Sequence, residues 1–184
     1  MSKAPSISRI NPTDNQHFAN SSVSIVAAAP SSRINLRATS KGAASFSKSF
    51  GLQLPEKPGA VVSKAGKSAF WIGPDEWLIV DEKAAIEDLM PKGAATEVSA
   101  VDISHRNVAY ALTGPGAANV LNAGCPRDLS LAAFPVGTAS RTIFGKAEVV
   151  IYRSRKETFR LECWRSFAPY VWALLTEGAR DAHI

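Results

Sequence analysis

Polar and apolar residues alternate along most of the chain from residue 33 onward, and this period of two is typical of half-buried strands. Runs with the helical period, bounded by capping residues, stand between the strand-like runs. The pattern predicts helices over residues 40–50, 83–90, 117–123 and 166–179, the last with Ser166 as its N-cap. It predicts strands over residues 33–37, 60–62, 69–72, 77–80, 98–103, 108–113, 139–144, 148–153 and 158–164.

Strands and short helices alternate in two successive halves of the chain, and each half is too small to bury a core alone. We therefore expect an α+β protein made of two small repeated α/β units with antiparallel or mixed sheets, one over roughly residues 32–95 and the other over 96–184. Residues 1–31 are rich in Ser, Asn, Ala and Pro and lack clear periodicity, which predicts a flexible N-terminal tail or an arm that docks on a partner.

The composition indicates a globular protein rather than a disordered one, with 184 residues, 46% of them apolar, and a net charge of +5. Cys125 and Cys163 form no CxxC pair, which argues against a zinc site. No apolar run is long enough to span a bilayer. A reduced, cytoplasmic protein is the simplest interpretation. An organellar transit peptide is the alternative, because the Ser-rich first fifty residues contain a single acid, Asp14.

Asp102, Ser104 and His105 are the residues that most resemble catalytic machinery. A hydrolytic triad needs its base within hydrogen-bond reach of the nucleophile. On a continuous strand, Ser104 and His105 would point to opposite faces, and Asp102 and Ser104 would lie about 6–7 Å apart. We therefore expect no triad here. His105 is expected to cap the end of a strand, and Asp102 to bind backbone at a turn.

Two other stretches have weaker chemical interpretations. Residues 114–116 (GPG) begin like a dinucleotide loop, but Asn119 replaces the required third glycine, so we expect a structural turn. The basic stretch 141–165 could contact nucleic-acid phosphates, but Phe159 and Trp164 point to opposite faces of one predicted strand and form no stacking platform. Solvated sheet faces, or a surface for an acidic partner, are the preferred interpretation.

The chain contains four tryptophans, which is many for a small domain. Core packing is expected to explain most of them, and one or two are candidates for anchors at a partner interface, where aromatic residues are enriched. They are Trp71, Trp77, Trp164 and Trp172.

Five short motifs occur in the order in which one known family carries them. They lie at residues 73–78 (GPDEWL), 101–106 (VDISHR), 112–117 (LTGPGA), 124–129 (GCPRDL) and 165–172 (RSFAPYVW). With these motifs, the chain resembles the gamma subunit of heterotetrameric sarcosine oxidase over about residues 33–175.

The resemblance implies a non-catalytic structural or assembly subunit of an enzyme that oxidatively demethylates sarcosine. The products of that enzyme are glycine and hydrogen peroxide, with the methyl carbon released as formaldehyde or passed to tetrahydrofolate as methylene-tetrahydrofolate. The implied partners are the alpha, beta and delta subunits, which are expected to hold FAD, FMN, NAD, tetrahydrofolate and zinc. No cofactor, nucleic acid or membrane is expected on this chain.

The gamma subunit is itself similar to the folate-binding domain of glycine-cleavage aminomethyltransferases, in which an Asp after a short helix helps to shape the substrate site. Asp128 matches that position. The chain is about half of such an enzyme, so the site would be open to water, where a carboxylate has no reason to hold a catalytic pKa. We therefore expect Asp128 to be vestigial, with no catalytic, cofactor-binding or metal-binding residue in the chain.

Two alternatives to an assembly subunit stay open at this point. One is an autonomous tetrahydrofolate-binding protein of the aminomethyltransferase type, which Asp128 would serve. The other is a basic nucleic-acid module, which would bind with a steep salt dependence.

Overall fold

Two antiparallel sheets packed face to face form the centre of the protein. The computed structural model describes residues 11–91 and 97–182. Within those residues the helices are α1 (Ser40–Phe50), α2 (Ile86–Leu89), α3 (Ala117–Asn122) and α4 (Ala168–Asp181). The strands are β1 (His17–Ala19), β2 (Ser24–Ala27), β3 (Ser32–Ala38), β4 (Val61–Lys64), β5 (Lys67–Gly73), β6 (Glu76–Asp81), β7 (Val98–Asp102), β8 (Asn107–Thr113), β9 (Ala139–Phe144), β10 (Ala147–Arg155) and β11 (Thr158–Trp164).

The predicted α+β class with antiparallel sheets is confirmed by the strand order. One sheet has six strands in the order β1-β2-β8-β11-β10-β9, and the other has five in the order β4-β5-β6-β3-β7. Strand β7, which a division near residue 95 would assign to the second unit, pairs with β3 and belongs to the five-stranded sheet. The chain therefore passes from one sheet to the other in the short turn between Asp102 and Asn107.

Local capping explains where the predicted helices agree with the structure and where they do not. Thr39 caps the N-terminus of α1 and Gly51 ends it with a φ of 79°, so the helix over 40–50 is confirmed. The helix predicted over 83–90 is only Ile86–Leu89, because Asp81 Oδ1 accepts hydrogen bonds from the backbone N–H groups of Lys83 and Ala84 and holds that stretch as a turn.

The C-terminal helix begins one residue later than an N-cap at Ser166 predicts. A single 3-10 turn, Arg165–Phe167, precedes α4, and Phe167 rather than Ser166 occupies its N-cap position. Pro169 lies in the first turn of α4, where its missing N–H has no partner to lose. None of the helices in residues 11–91 and 97–182 is long and apolar enough to cross a membrane.

Helices cover the outer face of each sheet, and two of the three apolar cores lie beneath them. Under α1, Phe46 and Phe50 pack with Ile34 and Leu36 of β3. Under α3 and α4, the core of the six-stranded sheet includes Tyr110, Val120, Ile151, Leu161, Val171 and Leu175. A third, smaller core joins the inner faces of the two sheets and includes Phe70, Leu78, Val80, Ile103, Val150 and Tyr152. The result is a four-layer arrangement of helix, sheet, sheet and helix.

Residues 17–27 form two strands where the sequence pattern predicts none. β2 pairs with β8, and its Ile25 side chain is fully buried in the core of the six-stranded sheet. Strands of three and four residues are too short to give a recognisable alternation. Of the tail or arm predicted over residues 1–31, the first ten lie outside the described residues, and the rest includes this hairpin.

Candidate functional site

The segment from Asp102 to Arg106 is a tight turn between β7 and β8, and its polar groups bind backbone. The backbone N–H of Ser104 donates to Asp102 Oδ1 at 2.8 Å. Ser104 Oγ accepts a hydrogen bond from the backbone N–H of Arg33 at 2.9 Å, which connects the turn to β3. The predicted role of Asp102 as a backbone-binding residue at a turn is therefore confirmed.

Ser104 and His105 follow the end of β7, so the prediction that they point to opposite faces of one strand is wrong. β7 ends at Asp102, so neither Ser104 nor His105 lies on a strand. The Ser104 N–H donates to the Asp102 carboxylate, whereas on a continuing strand these two residues would lie about 6–7 Å apart. Partial burial raises the pKa of Asp102, but the hydrogen bonds from Ser104 and the charge of His105 outweigh it and leave the pKa below its usual range. Asp102 is thus an ionised acceptor of hydrogen bonds rather than a base near neutrality.

Asp128 lies on the exposed loop that follows α3, and it too accepts a hydrogen bond from backbone two residues further on. The backbone N–H of Ser130 donates to Asp128 Oδ1 at 2.7 Å. This bond, together with a hydrogen bond from the Ser130 side chain, holds the pKa of Asp128 below its usual range. The buried guanidinium of Arg153 holds this loop in place by donating to the carbonyl of Leu129, and it also donates to the carbonyl of Lys156 on the β10–β11 turn. This geometry makes Asp128 a turn residue.

The glycines of residues 114–116 accommodate the N-terminal hairpin instead of a nucleotide. Gly116 N–H donates to the carbonyl of Ser22 at 3.0 Å. Gly114 has a φ of 133°, and a Cβ there would stand 2.4 Å from the same carbonyl oxygen. The predicted structural turn is confirmed, and the closeness of the two backbones gives the reason that glycine is needed.

Some of the tryptophans pack in the core and one is exposed on the surface, as expected. Trp77 is buried and donates its Nε1–H to the carbonyl of Pro55 at 2.7 Å, while Trp172 stacks on Tyr110 with ring centroids 5.7 Å apart. Trp164 is exposed, and Arg106 lies over its ring at 5.0 Å. Trp164 is therefore the tryptophan best placed to meet a partner.

A buried ion-pair network between the sheets is the feature that sequence reasoning missed. Arg33 of β3 donates from Nε to Glu162 Oε2 of β11 at 2.8 Å, and both side chains are almost fully buried. Arg160 donates to the other oxygen, Oε1, at 2.8 Å. Burial alone raises the pKa of Glu162, but the charges of Arg160 and Arg33 and their hydrogen bonds outweigh it and lower the pKa.

This network corrects the interpretation of residues 141–165 as solvated sheet faces. Alternation correctly separates Phe159, Leu161 and Cys163 from Glu162, but the face that carries Glu162 is covered by the other sheet. In the sequence Arg33 alternates with apolar residues as Asn35 and Arg37 do, so nothing marks it as the buried member of that polar face. A period of two identifies a polar face and cannot tell whether water or a second sheet covers it.

Beside the network, the two sheets diverge and leave an inter-sheet cleft, lined by Asn35, Glu76, Leu78, Ile103, Arg141 and Val150 among others. Glu76 is buried there and accepts hydrogen bonds from Asn35 at 3.0 Å and Arg141 at 3.2 Å. The Oδ1 atom of Asn35 is buried without a protein partner. The cleft has a volume of about 40 Å³, which suits one or a few waters and is far smaller than a usual ligand pocket of about 300 Å³ or more.

The potential metal ligands of residues 11–91 and 97–182 lie apart from one another. No group of three or more His, Cys, Asp or Glu side chains comes together in that part of the chain. Cys125 and Cys163 are both buried and unbridged. Burial raises the pKa of the Cys163 thiol to about 12, with a further contribution from Glu162, so this thiol is inert at neutral pH.

Comparison with known proteins points to one family. A model of the family described as sarcosine oxidase, gamma subunit, matches residues 37–181. The gamma subunit of sarcosine oxidase from Corynebacterium sp. (strain U-96) is 32% identical over 143 residues, which are 75% of this chain and 70% of that protein. The gamma subunit from Corynebacterium sp. (strain P-1) is 31% identical over 71% of this chain and 66% of its own length. The alignment with the sarcosine oxidase gamma subunit from Arthrobacter sp. spans 61% of the Arthrobacter protein.

Solved structures extend the comparison to the fold. A chain of the heterotetrameric sarcosine oxidase from Corynebacterium sp. U-96 superposes with a TM-score of 0.82 at 24% identity and covers 95% of this chain and 96% of its own. The glycine cleavage system aminomethyltransferase T from Bartonella henselae superposes with a TM-score of 0.64 at 16% identity, over 84% of this chain and 45% of that enzyme. The fold is therefore shared with part of an aminomethyltransferase, as the resemblance implied.

Proposed function

The chain belongs to the sarcosine oxidase gamma subunit family, and from this premise we propose that it serves as the non-catalytic structural subunit of a heterotetrameric sarcosine oxidase. The observation that carries the proposal is the similarity to the gamma subunit of the Corynebacterium sp. (strain U-96) enzyme across three quarters of the chain. The assembly would oxidatively demethylate sarcosine to glycine and hydrogen peroxide. The methyl carbon would leave as formaldehyde or as methylene-tetrahydrofolate.

The geometry of the candidate residues supports a structural role. Asp102, Ser104 and Asp128 each bind backbone groups within or beside their own turn. A catalytic base needs a pKa near the operating pH, whereas hydrogen bonds lower the pKa of both carboxylates. These residues thus stabilise turns inherited with the fold.

The chemistry of the assembly would lie on its other subunits, which we infer to be alpha, beta and delta chains in the cytoplasm. FAD, FMN, NAD, tetrahydrofolate and zinc would be held by those chains. The gamma chain would contribute surface, and its excess of basic residues favours partners with acidic surfaces.

Co-expression of the full chain with the other subunits, one of which carries an affinity tag, tests the proposal. We expect the chain to co-purify in fixed ratio with the tagged subunit, and sarcosine-dependent formation of hydrogen peroxide to be lost or unstable when the chain is omitted. Recovery of a complete, equally active and equally stable enzyme without the chain would contradict a structural role.

The fold shared with aminomethyltransferase T makes an autonomous folate-binding protein the second function to test. An autonomous folate-binding protein would bind tetrahydrofolate saturably at micromolar concentration, and Asp128→Asn would abolish that binding. We expect no such binding by the isolated chain, because Asp128 is exposed and engaged by Ser130.

A further inference from the structure

The mouth of the inter-sheet cleft exposes apolar side chains on both walls. On the wall formed by the five-stranded sheet, Val101 of β7 is 54% exposed and stands directly opposite Asn35, which lines the cleft. On the wall formed by the six-stranded sheet, Ile143 is 49% and Trp164 is 39% exposed. Trp164 itself lines the cleft, and Val101 and Ile143 are the cross-strand neighbours of Asn35 and Glu148, which line it. Singly exposed apolar residues are ordinary, but apolar residues grouped around one cleft are typical of an interaction site.

The strand register places these residues on the inner faces rather than on the outer ones. Val98 and Ala100 of β7 pack against the core under α1, so Val101 points to the inner side. Ile143 is paired with Glu148, a residue that lines the cleft, and has the same parity along β9 as Arg141. The inner faces are thus covered by each other at the end where Arg33 meets Glu162, and uncovered at this end.

The charges at the mouth favour an anionic group. Arg37 and Arg141 both approach Glu76 Oε2, at 3.5 and 3.2 Å, and their side chains are 62% and 40% exposed. One carboxylate cannot satisfy two guanidinium groups that have five donors each. Arg106, over the ring of Trp164, adds a third cation, and Glu148 is the one exposed acid among the described residues that line the cleft.

We propose that the mouth of the inter-sheet cleft is the surface on which another subunit of the assembly docks, through an apolar side chain flanked by carboxylates. The apolar side chain would fill the space between Val101, Ile143 and Trp164. The flanking carboxylates would take the free donors of Arg37 and Arg141 in the two-bond geometry that arginine prefers. This inference rests on the proposed function, since it assigns the surface by which the chain joins its partners.

Paired charge substitutions in the co-expressed, tagged assembly test both the site and the chemistry of the partner. Val101→Glu and Ile143→Glu remove an apolar contact and set a carboxylate against the partner's carboxylates, so each should weaken retention of the chain at least about 30-fold. Val101→Lys and Ile143→Lys remove the same contact but attract those carboxylates, and should weaken retention at least about fivefold less than their Glu counterparts. Retention is measured by mass photometry of the assembly on serial dilution.

The matched control is Leu131→Glu, which changes an equally exposed apolar residue, 47% accessible, on the Asp128 loop. It should alter retention less than about twofold. Equal weakening of retention by the Glu and Lys variants would contradict the proposal that the partner presents carboxylates. Weakened retention of Leu131→Glu together with normal retention of the Val101 and Ile143 variants would contradict the proposed docking surface, while the proposed function stands. A self-associating isolated chain whose dimer is lost in Val101→Glu would replace the partner by a second copy. Failure of the unaltered chain to join the assembly would refute the proposed function itself.

Discussion

At the scale of single residues, Glu162 is the buried charge that joins the two sheets. Its carboxylate is shared between Arg33 and Arg160, and removing its charge leaves the buried guanidinium of Arg33 without a counter-ion, whereas Arg160 keeps its pair with Glu82. Breaking a buried pair in this way typically costs about 3–5 kcal/mol. We expect Glu162→Gln to lower the free energy of unfolding by that amount in urea denaturation. The exposed pair partner Glu177 is the control, and Glu177→Gln should change stability by less than about 0.5 kcal/mol.

The same carboxylate gives the protein an acid-sensitive component of stability. Because its pKa is lower in the folded chain than the ordinary value of 4.5, the Glu162 contribution is complete above about pH 4.5 and is lost as the pH falls through the folded pKa. The stability gap between the unaltered chain and Glu162→Gln should therefore be constant from pH 7 to 5 and shrink below that range. A gap that stays the same down to pH 3 would contradict the charge-based explanation.

At the scale of elements, the N-terminal hairpin is a structural part of the six-stranded sheet. Ile25 is fully buried and its neighbour Val26 is exposed, so the two residues provide a matched pair on one strand. Ile25→Ala should lower the free energy of unfolding by about 2–5 kcal/mol because it leaves a cavity, whereas Val26→Ala should cost less than about 1 kcal/mol. Equal, small effects in thermal or urea unfolding would mean that the hairpin is a docked arm that does not contribute to the core.

Gly114 tests how the hairpin is held against β8. An alanine there would meet the Ser22 carbonyl at 2.4 Å in addition to the strain of its positive φ. Gly137 has a φ of 86° but open space around its missing Cβ, so Gly137→Ala measures the backbone strain alone. We expect Gly114→Ala to lose at least about 1 kcal/mol more than Gly137→Ala, and to speed hydrogen exchange of the β2 amides, which Gly137→Ala leaves unchanged.

The elements that the sequence predicts well are those whose cause is local. The helix over 40–50 follows from its own caps at Thr39 and Gly51, and the strands over 139–144 and 158–164 follow from side-chain alternation. What alternation cannot provide is the partner of a polar face. Glu162 and Arg33 look like surface residues in the sequence, and only the packing of the two sheets buries them together.

The candidate site was predictable in its residues more than in its geometry. The prediction that Asp102 binds backbone is confirmed by its bond from the Ser104 N–H. Alternation did not reveal where β7 ends, and the bond from the Arg33 N–H to Ser104 Oγ, which fixes the turn against β3, joins residues seventy-one positions apart in the chain. The short strand β2 was missed because the burial of Ile25 depends on β8, which is remote in sequence.

At the scale of the whole molecule, the fold is shared with part of a larger enzyme. Aminomethyltransferase T covers most of this chain with less than half of its own length. On this chain the mouth of the inter-sheet cleft has the exposed apolar and basic groups expected of a surface that meets another protein, in keeping with the docking surface proposed above.

The most direct test of this account is the mass of the intact assembly, measured by native mass spectrometry after co-expression of the full chain with its proposed partners. The account predicts one copy of this 19.6 kDa chain in every complex, and a complex lighter by that mass when the chain is omitted. A chain that is found only as a free monomer, with the other subunits assembling fully without it, would contradict the central claim.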